Sequence, residues 1–181
     1  MWDGRTVPTI RIVQLDPGTL RALADGVAPP APPVPLTAHL AGPEHRGVWR
    51  RRSHQVDADP AAAAWVTGVV WDPAIRTAVG RAGFHGPPDE HGMVEVGYAI
   101  DPAYRRRGYA RAALAALLDR AAAEPSVTTV RASVRPDNVG SRALVDEAGF
   151  VPVGEEWDDE DGLETVYERP SRSAPPAGMG P

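Results

Sequence analysis

Three arginines and a glycine, Arg105, Arg106, Arg107 and Gly108, stand together in the segment Tyr104 to Ala110 (YRRRGYA), and that combination can hold a phosphate group. Guanidinium groups meet phosphate oxygens with paired hydrogen bonds, and glycine, lacking Cβ, lets an anion approach the main chain. A short way upstream stand two groups able to take a proton near neutral pH, the carboxylate Glu95 and the imidazole His85. The other histidines, His39, His45, His54 and His91, show no ligand spacing that suggests a metal, and none is expected.

The flanking elements decide how YRRRGYA is read. Met93 to Ile100 (MVEVGYAI) alternates, with Val94, Val96, Tyr98 and Ile100 on one face and Met93, Glu95, Gly97 and Ala99 on the other, which predicts a strand. Downstream, Leu114, Leu117, Leu118 and Ala121 recur with helical spacing. The arginines therefore fall at a strand-to-helix turn, where the first helical N–H groups lack internal partners and the dipole favours an anion. A bare charge run is usually a solvated turn, and it is this setting that favours phosphate binding. Glu95 shares its face with the small residues Gly97 and Ala99, which leaves room for a ligand; the plain alternative is a strand glutamate paired with an arginine.

Composition removes several chemistries. The 181 residues contain no cysteine, which excludes disulfides, thiolate metal sites and a cysteine nucleophile and suits a reducing cytoplasm. All 19 basic residues are arginine, so a P-loop lysine, a Schiff base and a lysine general base are excluded. A net charge of −5 argues against a nucleic-acid partner despite the arginine clusters 50–52 and 105–107. The N-terminal MWDGRTVPTI does not read as a signal peptide, and the longest nearly apolar run, Ala61 to Trp71, is too short to span a bilayer, so no membrane association is expected.

A chain this long, 43% apolar, suits one globular domain, expected over 1–169. Thr9 to Leu15 predicts a strand; Asp16 then caps, Pro17 opens and Gly26 closes a helix carrying Leu20 and Leu23. Residues 27–35 hold five prolines and predict an irregular loop. A helix is expected between Glu44 and Val56, strands over Trp65 to Trp71 and Arg76 to His85, and a turn over Gly86 to Gly92. Thr128 to Val134 predicts a strand that Pro136 stops, after which Asp137 or Asn138 caps a helix reaching Ala148. Val151 to Trp157 and Leu163 to Tyr167 predict a hairpin around an acidic turn, and 170–181 predicts a disordered tail.

Taken in order, these elements make the chain resemble the GNAT superfamily of acetyl-CoA-dependent N-acetyltransferases, and within it the ribosomal-protein alanine acetyltransferase-like (RimJ/RimL-type) branch, over about Ile10 to Arg169. The pyrophosphate motif Q/R-x-x-G-x-G/A is met by Arg105, Gly108 and Ala110; the branch's N-x-x-S before a helix ending in G-F is met by Asn138, Ser141, Gly149 and Phe150. The resemblance implies an α/β (α+β) fold with a mixed, mostly antiparallel, twisted sheet of six to seven strands and about four helices. It implies direct transfer of an acetyl group from acetyl-CoA, as co-substrate and without a metal, to a primary amine in a ternary complex.

As the resemblance places them, Ile100, Arg105, Arg106, Arg107, Gly108, Tyr109, Ala110, Asn138 and Ser141 would bind acetyl-CoA. Glu95 would act as base through water, with His85 the competitor, and a main-chain N–H near Ala99 or Ile100 would hold the oxyanion. Many members carry a tyrosine seven residues after the asparagine as proton donor to the thiolate; here that residue is Val145, which leaves Ser141, Tyr109 or water, with Ser141 preferred. The absent tyrosine also motivates a second reading, a catalytically silent CoA-binding module for regulation or interaction. The seven carboxylates of Glu155 to Glu164 could attract a cationic acceptor, a protein N-terminus or a small molecule, or form a solvated turn. Monomer and homodimer are both left open.

Overall fold

The computed structural model describes residues 7–159 and 162–172. Among them are seven strands and four α-helices, with strand order β1-β2-β3-β4-β5-β7-β6. The chain divides into two compact units, residues 1–87 with 96–117 and residues 88–95 with 118–181.

In the first unit β1 (Arg11–Val13), β2 (Gly68–Asp72), β3 (Thr77–Phe84) and the later part of β4 (Met93–Ile100) pair antiparallel in sequence order. Helix α1 (Pro17–Asp25) begins where expected: the Asp16 side chain accepts from the N–H of Thr19, and Gly26 at φ 72 closes it. Its Leu20 and Leu23 are buried in a core with Leu40, Val56, Val66, Val69 and Trp49 of α2 (Arg46–Ala58). Trp49 is fully buried because its one polar atom is satisfied, Nε1 donating to the Leu40 carbonyl at 2.8 Å. Residues 27–35 are irregular, as the prolines require.

Short 3-10 turns account for the boundaries that hydrophobic periodicity placed elsewhere. Pro60–Ala64 takes the residues before β2, so that strand starts at Gly68 rather than Trp65. Its cap is Asp59, whose side chain accepts from the Ala61 N–H at 3.0 Å. Of the cluster 50–52, Arg52 is buried: it donates from Nε to Thr67 Oγ1 and from Nη1 to Gln55 Oε1 and the His85 carbonyl. It is therefore part of the interior framework, not of a basic surface.

In the second unit β4 contributes Met93–Glu95, paired parallel to Thr129–Arg131 of β5 (Thr129–Val134). β5 pairs antiparallel with β7 (Gly162–Pro170), which pairs with β6 (Val151–Asp158) as the expected hairpin. Helix α3 (Tyr109–Ala123) passes from the first unit to the second; α4 (Val139–Glu147) lies in the second. Residues at the start of the expected tail are placed by the sheet: Pro170 belongs to β7, and Ser171 is buried with its hydroxyl on the Val127 carbonyl at 2.6 Å. The rest of the expected tail, 173–181, lies outside the described residues.

Candidate functional site

The first unit holds the arginine-glycine loop. After β4, Asp101 caps the 3-10 turn Pro102–Tyr104 by accepting from the Ala103 N–H at 2.9 Å. The backbone is then left-handed at Arg106 (φ 61) and again at Gly108 (φ 84) before α3 begins. Glycine carries the second of these without strain; arginine carries the first at a cost of roughly 1–2 kcal/mol. Among the described residues, the N–H groups of Arg106, Arg107, Gly108, Tyr109 and Ala110 meet no protein acceptor. The first bond of the helix is from Ala112 to the Gly108 carbonyl at 3.0 Å. A consecutive run of unspent N–H groups at a helix start, with three exposed arginines, has the donor chemistry that suits an anion.

Three side chains hold this loop in shape. Arg105 Nε donates back to the Ile100 carbonyl at 3.0 Å, closing the loop on the end of β4. The Arg107 guanidinium lies over the Tyr104 ring, 5.6 Å from its centre. Tyr109, the first residue of α3, is buried and donates its hydroxyl to Asp72 Oδ2 at 2.6 Å. Burial, then the bond to Asp72, pushes the Tyr109 pKa up to about 12. The phenol is thus committed as a latch, which removes Tyr109 from the proton donors considered for the thiolate. Tyr109→Phe should cost about 1–3 kcal/mol by leaving a buried carboxylate short of a donor, a fall in Tm of roughly 2–4 °C per kcal/mol in calorimetry. An unchanged Tm would show that the latch holds nothing.

The end of β4 also sorts its own N–H groups. Asp101 N donates to the Val79 carbonyl at 2.9 Å. Alternation along an antiparallel ladder then assigns the Ala99 N–H to β3 and turns that of Ile100 away from β3. Of the two positions expected to supply an oxyanion donor, Ile100 is the available one. His85 is exposed, its carbonyl held by Arg52 and by Gln55 Nε2 at 2.6 Å. A Cβ on Gly97 would come within 2.8 Å of His85 Nε2, so glycine there makes room for the ring.

The second unit holds the carboxylate. Ser133 Oγ stands 2.8 Å from Glu95 Oε1 and 2.8 Å from Glu156 Oε1. One hydroxyl proton can be given to only one of the two carboxylates at a time. Arg131, beside Glu95 in register, is bound by Nε and Nη2 to Glu168 Oε1 at 3.0 and 2.6 Å. The sequence does not single out Ser133 and offers Glu156 only as one of the seven carboxylates of 155–164; the register that aligns β5, β7 and β6 on one face is what brings them to Glu95. Elsewhere in this unit Asn138 caps α4, its Oδ1 accepting from the Ser141 N–H at 3.1 Å. Val145 is fully buried in α4, an apolar core residue at the position where the resemblance leads one to expect a tyrosine. Residues 160 and 161 of the acidic turn lie outside the described residues.

A further convergence was invisible in the spacing. His39, Glu44 and His45 come together in the first unit because a turn and the 3-10 helix Pro43–His45 fold the chain back on itself. Among the described residues, no helix is long and apolar enough to cross a membrane.

Comparison with known proteins follows this geometry. The model of the acetyltransferase (GNAT) domain family matches residues 35–151. An uncharacterized N-acetyltransferase of Bacillus subtilis (strain 168), YjdG, is 38% identical over 73 residues, 40% of this chain and 44% of that protein, so the chain spans under half of that relative. Among solved structures, a chimera of the Vibrio cholerae spermidine N-acetyltransferase SpeG and hSSAT aligns with TM-score 0.63 at 16% identity, covering 92% of this chain and 96% of the other. The ribosomal-protein-S5-alanine acetyltransferase of Vibrio fischeri aligns with TM-score 0.62 at 18% identity, covering 92% and 94%. At these identities the solved structures speak for the fold alone.

Proposed function

The chain belongs to the GNAT acetyltransferase family, and from that premise we propose that it moves an acetyl group from acetyl-CoA to a primary amine, in the cytoplasm, by direct attack in a ternary complex. The observation that carries this reading is the run of unspent N–H groups from Arg106 to Ala110 under three arginines. The CoA pyrophosphate is a dianion of matching chemistry. Arg105, Arg106, Arg107, Gly108, Tyr109 and Ala110 bind it, Tyr109 and Ala110 through their backbone.

Glu95 takes the proton. An alkylammonium has a pKa of roughly 10, so near pH 7 the amine must lose a proton before it attacks. The nitrogen then forms the C–N bond, the carbonyl oxygen carries negative charge toward the Ile100 N–H, and the C–S bond breaks. The amine proton goes by way of water to Glu95. Asn138 and Ser141 contact the cofactor, and the second amine proton, shed once the C–N bond has formed, reaches the thiolate through Ser141 or water, a light task for a group of pKa about 8.5. The two carboxylates Glu95 and Glu156, which share Ser133 Oγ, suit a cationic amine. The acceptors named for the solved relatives, spermidine and a ribosomal-protein alanine, belong to that class.

Acetyl-CoA at about a hundred times its Kd should stabilise the chain by about 2.7 kcal/mol, raising Tm by roughly 5–11 °C. Absence of any shift would refute the reading. A panel of amines followed by release of free thiol then separates an enzyme from a silent CoA-binding module: a shift without thiol release would favour the module.

A further inference from the structure

His39, Glu44 and His45 each offer a ligand atom within 4.8 Å of the others. The two imidazoles meet edge to face at 87°, with His45 Nε2 3.1 Å from His39 Nε2. His39 Nδ1 lies 2.7 Å from Glu44 Oε1, and Arg81 Nε lies 3.3 Å from His45 Nδ1. These contacts fix the protons. A guanidinium only donates, so His45 Nδ1 is a lone pair and its proton sits on Nε2. His45 Nε2 then donates to His39 Nε2, and His39 Nδ1 donates to Glu44. Both rings are neutral in this chain of donors.

We propose that this cluster binds a divalent transition cation such as Zn²⁺, with one imidazole nitrogen each from His39 and His45 and a carboxylate oxygen of Glu44 as ligands. Neutral imidazole and carboxylate are the donor types such ions prefer, and three protein ligands leave a position for water. Nitrogens about 2.0–2.1 Å from a tetrahedral ion lie roughly 3.3 Å apart, close to the 3.1 Å between the two Nε2 atoms. Glu44 is half exposed and able to turn from His39 to the ion.

The competitor is Arg81. For His45 Nε2 to coordinate, its proton must move through solvent to Nδ1, and Arg81 must release that atom; the bond it gives up is long and therefore weak. This makes the inference testable apart from acetyl transfer, on which it does not rest. The untagged full chain is titrated with Zn²⁺ by calorimetry and with Co²⁺ by visible absorption. The expected result is one ion per chain with the intense band of tetrahedral Co²⁺. His39→Ala, at a partly exposed position that should fold, loses about tenfold or more in affinity. Arg81→Gln binds more tightly than the parent, because the amide oxygen can accept the new Nδ1 proton. No saturable binding, equal affinity in the parent and His39→Ala, or no gain in Arg81→Gln would overturn the proposal, leaving the three residues a hydrogen-bonded chain only.

Discussion

Glu95→Gln should lower kcat by about a hundredfold while leaving the Kd for acetyl-CoA within about twofold, since a positioned general base is typically worth 10²–10⁴ in rate. The substitution keeps size and shape, and the amide oxygen can still accept from Ser133 Oγ, the bond the carboxylate now makes at 2.8 Å. What it removes is basicity. At pH 7 only about one alkylamine in a thousand is unprotonated, so the variant depends on that minority and on hydroxide. The acidic limb of the pH–rate profile, set in the parent by protonation of the base, should disappear, and activity should climb steadily with pH as free amine accumulates. Steady-state kinetics from pH 6 to 10 with a small diamine acceptor would show both effects. Coincident profiles for parent and variant would end the assignment, and the same measurement on His85→Gln would then decide whether the imidazole held in the space over Gly97 is the base.

Which residues could be read from the sequence follows from how local their interactions are. Asp16, Pro17 and Gly26 act within one turn of helix, and the helix they predict is the one observed. Met93–Ile100 alternates over its whole length and forms a strand with those ends. The same holds for Asn138, whose cap bond spans three residues. Interactions that need register were out of reach. Ser133 and Glu156 stand beside Glu95 only because β5 pairs with β4 and β7 while β6 pairs with β7, and no periodicity within one strand encodes its neighbour. The Tyr109–Asp72 bond was equally out of reach, because Asp72 ends a strand 37 residues earlier. His39 and His45 lacked helical ligand spacing because they sit on a turn and a 3-10 segment, where residues six apart can meet. The turn at 105–108 and the helix start that follows were legible because a glycine among arginines after an alternating strand is a local signal of them.

The backbone of that turn sets the second large effect. Gly108→Val should raise the Kd for acetyl-CoA by about a hundredfold or more, equivalent to about 2.7 kcal/mol. Two costs combine. A β-branched residue at φ 84 is strained by roughly 1–2 kcal/mol, and the loop relieves that strain by turning its N–H groups away from the phosphates. Each hydrogen bond lost to a charged group adds about 1.5–3 kcal/mol. Removing one arginine acts differently: Arg107→Gln deletes an exposed charge that salt already screens, and its penalty should shrink between about 0.05 and 0.5 M salt. The Gly108→Val penalty should stay, because it resides in backbone geometry. Titration calorimetry of parent and both variants at two ionic strengths, with circular dichroism to show that each is folded, distinguishes them. A Gly108→Val chain that binds within about twofold of the parent would mean that the arginines alone hold the cofactor and that the unspent N–H groups of Arg106 to Ala110 do not.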